Sequence, residues 1–139
     1  MTTIEEYAWK GRGYHPFLIR DHWQVAHLNF DTCLAVDAID RLERHQTTDE
    51  VFVSLRGEPI LIGAVAEESR LQLEACVMQA GVTYNVPAGT WHAIVMCPID
   101  EVLIVENANT HLHDVEYRLL DEAESRELRE LLKGCLRES

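Results

Sequence analysis

The sequence predicts an all-β fold, a β-barrel or jelly roll of short strands with one C-terminal α-helix. Short strand-like runs follow one another from residue 23 to residue 120, and turns rich in Gly, Pro, Asp and Asn separate them. Helical periodicity begins only after residue 120. The 139 residues are enough for one domain with a hydrophobic core.

Residues 1–22 have no clear hydrophobic period, and their glycines and Pro16 mark turns. We expect this segment to be an arm that crosses the barrel or pairs with another subunit. The predicted barrel covers residues 23–120 and begins with a strand over residues 23–30.

Two strands joined by a polar turn at residues 46–49 are predicted next. The first continues from residue 33 to residue 45, and the strand period of two places four of its side chains on one face: Ile39, Arg41, Glu43 and His45. The second strand ends at Gly57, and its side chains alternate between two faces. One face carries Glu50, Phe52 and Ser54, and the other carries Val51, Val53 and Leu55. A further strand is predicted to start at residues 60–62, before a hairpin loop at residues 67–70, and others are predicted over residues 71–78, 101–106 and 115–120.

The stretch from residue 81 to residue 92 predicts a strand, a tight turn and the start of another strand. Pro87 fixes its own φ and donates no backbone N–H, and Gly89 can adopt a positive φ. Because side chains alternate along a strand, His92 points into the enclosed space if Trp91 packs on the other face.

Residues 121–139 predict the C-terminal helix. Asp121 is a candidate N-cap, and Glu124 has the spacing of a capping box. Four side chains fall on one side of this helix: Leu128, Leu131, Leu132 and Cys135. We expect that side to pack on the exterior of the barrel or on a partner subunit.

The chain resembles the cupin superfamily, whose two sequence motifs lie within residues 41–96. The second motif, G-x5-P-x-G-x2-H-x3-N, is matched at four positions: Gly81, Pro87, Gly89 and His92. Met96 stands at its last position. The first motif, G-x5-H-x-H-x3,4-E-x6-G, is matched at three positions: His45, Glu50 and Gly57. Glu43 stands where that motif has its first histidine, and the leading glycine is absent. The resemblance implies an RmlC-like double-stranded β-helix barrel but does not specify a reaction.

The resemblance also implies a metal centre. His45, Glu50 and His92 occupy ligand positions, and Glu43 occupies the position of the fourth ligand. Glu43 can coordinate a hard divalent ion, or it can accept a proton from a bound substrate, and the residues leave both roles open. The expected cofactor is one divalent ion, either iron, manganese, nickel or zinc. The alternative is a barrel that has lost its metal.

The remaining polar candidates have less specific roles. Arg41 either pairs with Glu43 to neutralise a buried charge or binds an anionic group of a substrate. His27 is expected to pack or hydrogen-bond within its strand. His111 and His113 have H-x-H spacing but fall in a predicted loop, so we expect them on the surface.

Composition excludes several classes of partner. The chain has 24 acidic and 12 basic residues, a formal charge of −12, and its basic residues are scattered, which argues against a nucleic-acid partner. No apolar run approaches the ~18 residues that span a membrane, and no export signal is evident. A cytoplasmic protein is therefore expected. The chain's isolated cysteines lack CxxC spacing and are expected to be thiols: Cys33, Cys76, Cys97 and Cys135.

These observations predict a metal-binding cupin that acts on a small polar or anionic metabolite as an isomerase, lyase or dioxygenase. Glu43 would be its acid or base, and Arg41 would hold the anion. The alternative function is a non-catalytic module that binds a small molecule or a metal. The sequence does not decide whether turnover occurs. A homodimer is expected, since cupins are commonly dimers.

Overall fold

A computed structural model describes residues 3–138, so the first two residues of the predicted arm and the last residue of the predicted helix lie outside it. The strands of the described chain are β1 (Gly13–Ile19), β2 (Trp23–Asn29), β3 (Arg41–Arg44), β4 (Glu50–Arg56), β5 (Ile60–Glu67), β6 (Arg70–Val77), β7 (Thr83–Val86), β8 (Trp91–Val95), β9 (Glu101–Asn107) and β10 (Glu116–Leu119). The α-helices are α1 (Thr110–His113) and α2 (Glu122–Glu138). None of these helices is long and apolar enough to cross a membrane.

The strands form two antiparallel sheets of five strands each. The first sheet has the order β1-β2-β9-β4-β7, and the second has the order β10-β3-β8-β5-β6. One core cluster draws side chains from both sheets and lies between them: Ala26, Leu28, Phe52, Leu61, Met78, Ile94, Met96, Val102 and Ile104. The predicted jelly-roll barrel with one C-terminal helix is confirmed.

A second core cluster lies between the outer face of the second sheet and α2. Leu128 and Leu132 of α2 pack there with Leu42, and Leu131 and Cys135 lie against the same cluster. The apolar side of the helix therefore packs on the exterior of the barrel, as the sequence predicts. Burial of such leucines typically contributes about 1.5–3 kcal/mol each.

The predicted capping box at the start of α2 is also present. The Glu124 backbone N–H donates to Asp121 Oδ1 at 2.8 Å, and the Asp121 backbone N–H donates to Glu124 Oε1 at 3.0 Å. Arg118 of β10 adds two hydrogen bonds to the Glu124 carboxylate. These contacts fix the point at which the chain leaves the barrel and enters the helix.

Three segments differ from the sequence predictions. The arm contains β1, an edge strand of the first sheet, whose register with β2 shifts between His15 and Leu18. Pro16 lies at this shift, and an edge strand tolerates a residue that has no backbone N–H donor. The shift interrupts the alternation of side chains, so the strand has no clear period in the sequence. The strand predicted from residue 33 is wrong before Arg41, because the chain there forms a short 3₁₀ turn and irregular backbone. The predicted loop before β10 contains α1.

The two motif turns contact each other. Gly89 has a φ of +82°, as its tight turn requires, and its backbone N–H donates to the His45 carbonyl at 2.7 Å. Asp49 accepts hydrogen bonds from the Ala88 backbone N–H at 2.9 Å and from Asn85 Nδ2 at 3.1 Å. The first motif is thus joined directly to the second at one end of the barrel.

Candidate metal centre

Four side chains converge inside the barrel near the joined turns. Glu43 lies on β3 directly opposite His92 on β8, His45 follows β3, and Glu50 is the first residue of β4. Each offers one ligand atom, and these four atoms lie within 4.8 Å of one another. The chain therefore brings together the residues that the two motifs single out.

Strand alternation explains which side chains point inward. Trp91 packs against the outer cluster under α2 and beneath the Arg44 guanidinium. His92, the next residue, is 2% exposed and faces the interior. On β4 the inward residues are Glu50, Phe52 and Ser54, as predicted.

Glu50 lies between the two imidazoles. Its Oε1 is 2.8 Å from His92 Nε2 and 3.2 Å from His45 Nε2, and the two ring centroids are 5.3 Å apart. All three side chains are buried. One carboxylate oxygen thus faces both Nε2 atoms in a space shielded from water.

The other nitrogen of each imidazole contacts a backbone carbonyl. His45 Nδ1 donates to the Asp114 carbonyl at 2.7 Å, and His92 Nδ1 donates to the Thr90 carbonyl at 3.0 Å. Because a carbonyl only accepts, both Nδ1 atoms carry hydrogen. The two Nε2 atoms then face Glu50, which as a carboxylate also only accepts. Each Nε2 therefore needs a proton or a cation, and this arrangement fits a divalent ion.

The pKa values follow from these contacts. Burial opposes protonation of His45, but hydrogen bonds to Glu50 and to the Asp114 carbonyl outweigh it and raise the His45 pKa to about 9. The His92 pKa is raised in the same way against the effect of burial. Burial would raise the Glu50 pKa, yet the hydrogen bonds from both histidines hold it below its ordinary value. Without a metal these contacts favour an ionised Glu50 and a protonated His45, and they shift the His92 pKa in the same direction.

Two further carboxylates flank the histidines. Glu43 Oε1 lies 3.7 Å from His92 Nε2, and Glu106 Oε2 lies 3.8 Å from His45 Nε2. Burial, followed by repulsion from Glu50, raises the pKa of both, and that of Glu106 reaches about 7. Sequence reasoning missed Glu106. One signal was available in the sequence. Alternate residues of a strand share a face, so Glu106 lies on the same inward face of β9 as the apolar Val102 and Ile104.

A network of buried polar groups holds Glu106. Tyr14 Oη donates to Glu106 Oε1 at 2.6 Å, and Gln24 Nε2 donates to Tyr14 Oη at 2.8 Å. Gln24 Nε2 also lies 3.2 Å from His111 Nδ1, and His111 is half-buried. The prediction that His111 lies free on the surface is therefore wrong, because its ring packs beside Tyr14. His113 is exposed, as predicted.

A cavity of about 450 Å³ opens beside the four-residue cluster. Its polar lining includes Glu43, His92, Arg41 and Tyr117, and its apolar lining includes Leu34 and Ile94. Its size and mixed lining suit a small polar molecule. The four-residue cluster and this cavity share Glu43 and His92, so a molecule in the cavity would reach the cluster from the side of Glu43.

The structure changes the interpretation of Arg41. The alternative in which it pairs with Glu43 is wrong, because its Nε and Nη2 donate to the Asp40 carboxylate at 2.8 and 3.2 Å. Its side chain is 53% exposed and lines the cavity. His27 has the packing role that the sequence suggests, since it lies edge-on to Phe17, 4.7 Å between centroids. The described cysteines are free thiols.

Comparisons with known proteins agree with this architecture. The sequence model for ureidoglycolate lyase matches residues 21–126. A cupin-family protein with a double-stranded β-helix fold from Methanocaldococcus jannaschii shares 14% identity over 80% of this chain and 96% of that chain, with a TM-score of 0.52. A cupin protein from Bacteroides fragilis shares 13% identity over 81% of this chain and 91% of that chain, also with a TM-score of 0.52. These likenesses show the cupin fold. No curated protein matches the chain significantly.

Proposed function

The chain belongs to the ureidoglycolate lyase family, and we propose that it is a metal-dependent lyase that cleaves ureidoglycolate or a closely related small hydroxy acid. One observation carries this proposal. Two imidazoles and two carboxylates have ligand atoms within 4.8 Å of one another, and two of these residues, Glu43 and His92, line a cavity of about 450 Å³. A small acid with hydroxyl and amide groups fits the polar groups and size of that cavity.

The reaction needs one proton to be removed from the substrate and one proton to be added to the leaving group. In ureidoglycolate a single carbon carries a carboxylate, a hydroxyl and a urea nitrogen. A base removes the hydroxyl proton, the oxygen forms a C=O bond, and the C–N bond breaks with its electron pair going to nitrogen. That nitrogen takes up a proton, so the products are glyoxylate and urea. No oxidant or reductant is required.

The residues of the cluster fit a divalent ion, as their donor set and the orientation of both Nε2 atoms indicate. His45, His92 and Glu50 would hold it. Such an ion would act as a Lewis acid on the oxygen atoms of the substrate. The buried position of these three side chains would keep bulk water away from the reacting groups.

Glu43 is placed to move the proton. Its side chain is 37% exposed, lines the cavity and lies beside His92, so it is accessible to a molecule bound there. A general base must lie within hydrogen-bond reach of the proton that it removes. Glu43 meets this condition for a hydroxyl held at the cluster, and we assign it the role of base.

Arg41 is the candidate anchor for the substrate carboxylate. Its planar guanidinium suits a carboxylate, and it lines the same cavity as Glu43. Two of its nitrogens already bind Asp40, so the substrate would share or displace that contact. We therefore expect Arg41 to affect KM more than kcat.

The proposal is tested by measuring urea release from ureidoglycolate by the metal-loaded protein. Glu43→Gln should retain the metal and lose about 10²–10⁴-fold in kcat, the usual contribution of a general base. Glu58→Gln, an exposed glutamate in the turn after β4, is the matched control and should keep full activity. No urea release by the metal-loaded wild type would overturn the lyase assignment. Full activity of Glu43→Gln would overturn the role of Glu43 alone.

A further inference from the structure

We propose that Glu106, rather than Glu43, is the fourth protein ligand of the metal centre. This inference depends on the proposed function only in requiring that a metal is bound. It assigns different roles to the two carboxylates that flank the histidines at nearly equal distances, 3.7 and 3.8 Å.

Glu106 Oε2 is shielded from solvent and has no hydrogen-bond partner within the described chain. A buried carboxylate oxygen without a partner costs free energy, so a protein retains one where something binds it. The atom faces His45 Nε2, one of the two nitrogens that need a proton or a cation.

The other oxygen of Glu106 is held by two side chains. Tyr14 Oη donates to Oε1 at 2.6 Å, and Gln24 Nε2 lies 3.3 Å from the same oxygen. Gln24 is fixed in turn, because its Oε1 accepts the Asn109 backbone N–H at 2.7 Å. These contacts hold one carboxylate oxygen and leave the other directed at the cluster, as hydrogen-bonded metal ligands commonly are.

Glu106 and Glu43 differ in their exposure to solvent. The Glu106 side chain is 3% exposed, whereas that of Glu43 is 37% exposed and lines the cavity. A buried carboxylate is suited to permanent coordination, and an accessible one is suited to meet a substrate. Two imidazoles, Glu50 and Glu106 would also balance the charge of a divalent ion, with Glu43 left free to act as a base.

Cobalt(II) titration of the metal-free protein by calorimetry tests this assignment. Glu106→Gln should weaken Co²⁺ binding by about 10–100-fold or more, the scale of losses around metal sites. Glu43→Gln should bind Co²⁺ within about threefold of the wild type. Glu101→Gln is the matched control, since it makes the same change on β9 at a position that faces away from the core.

Thermal unfolding of the metal-free variants separates ligation from a structural role. Glu106→Gln removes a buried negative charge while its Oε1 can still accept from Tyr14, so its Tm without metal should equal or exceed that of the wild type. Its rise in Tm on adding Co²⁺ should be smaller than that of the wild type. If Glu106→Gln binds Co²⁺ like the wild type, or Glu43→Gln loses binding in its place, this inference is overturned while the metal centre stands. If the wild type binds no Co²⁺, this inference and the proposed metal centre are both wrong.

Discussion

His45 Nδ1 donates a 2.7 Å hydrogen bond to the backbone carbonyl of Asp114, 69 residues further along the chain. The Asp114 carboxylate holds this contact in place. Its Oδ1 accepts the Gln46 backbone N–H, and its Oδ2 accepts both the backbone N–H and the hydroxyl of Thr47. Asp114, the residue that follows α1, therefore fixes the turn after His45 and the orientation of the His45 ring.

Asp114→Ala should weaken metal binding by about 10–100-fold, because the turn is released and the His45 ring loses its orientation. Calorimetric titration with Zn²⁺ or Co²⁺ measures the change in Kd. Asp21→Ala removes an exposed aspartate between β1 and β2 and should leave the Kd unchanged. An unaltered Kd in Asp114→Ala would show that His45 does not depend on this contact.

The metal-free protein should lose stability as pH rises. The folded His45 pKa is about 9, above its ordinary 6.5, so its stabilising contribution is complete below about pH 6.5 and is lost as pH rises through 9. The loss should be on the order of a few kcal/mol. The folded Glu106 pKa of about 7 acts in the same direction between about pH 4.5 and 7. Urea unfolding in the presence of chelator measures this, and His45→Gln should flatten the upper part of the curve. A wild-type midpoint that stays level or rises between pH 6.5 and 9 would contradict the assignment.

Metal binding should release protons. The His45 pKa of about 9 means that an ion displaces hydrogen from His45 Nε2 near neutral pH, and the raised His92 pKa acts in the same direction. Zn²⁺ affinity should therefore increase by at least about tenfold between pH 6 and pH 7. Titrations in buffers of different ionisation enthalpy count the protons. A Kd independent of pH over this range would exclude the two histidines as ligands.

The capping box of α2 should affect stability without affecting the metal centre. Asp121→Ala removes the side chain that accepts the Glu124 backbone N–H, and we expect a loss of about 1 kcal/mol. Urea unfolding measures the loss, and metal affinity should be unchanged. A lower metal affinity in this variant would contradict this prediction, because it would show that the start of α2 is coupled to the metal centre.

The four-residue cluster is predictable from local patterns combined with the resemblance to cupins, which implies that the two motif hairpins lie side by side. The Pro87–Gly89 turn and strand alternation orient His92, and the motif spacing sets His45 and Glu50 relative to each other. In the structure β3 and β8 are neighbours, and their register pairs Glu43 with His92. The prediction that these residues ligate a metal remains to be tested.

Features that depend on distant contacts could not be predicted in this way. Glu106 meets Tyr14, 92 residues away, and no motif links them. Pro16 and the register shift hid β1, which supplies Tyr14. Periodicity places Arg41 on the same face as Glu43, but it does not show that the Arg41 side chain pairs with the adjacent Asp40 at the surface, which is a local contact. In each case a tertiary or side-chain contact decided what periodicity alone leaves open.

The most direct test of the metal centre is elemental analysis of protein purified without chelator. The wild type should contain about one divalent ion per chain, and His45→Ala and His92→Ala should contain little or none while remaining folded by circular dichroism. Wild-type protein that is metal-free, and stays so after incubation with iron, manganese, nickel, cobalt and zinc, would contradict the account.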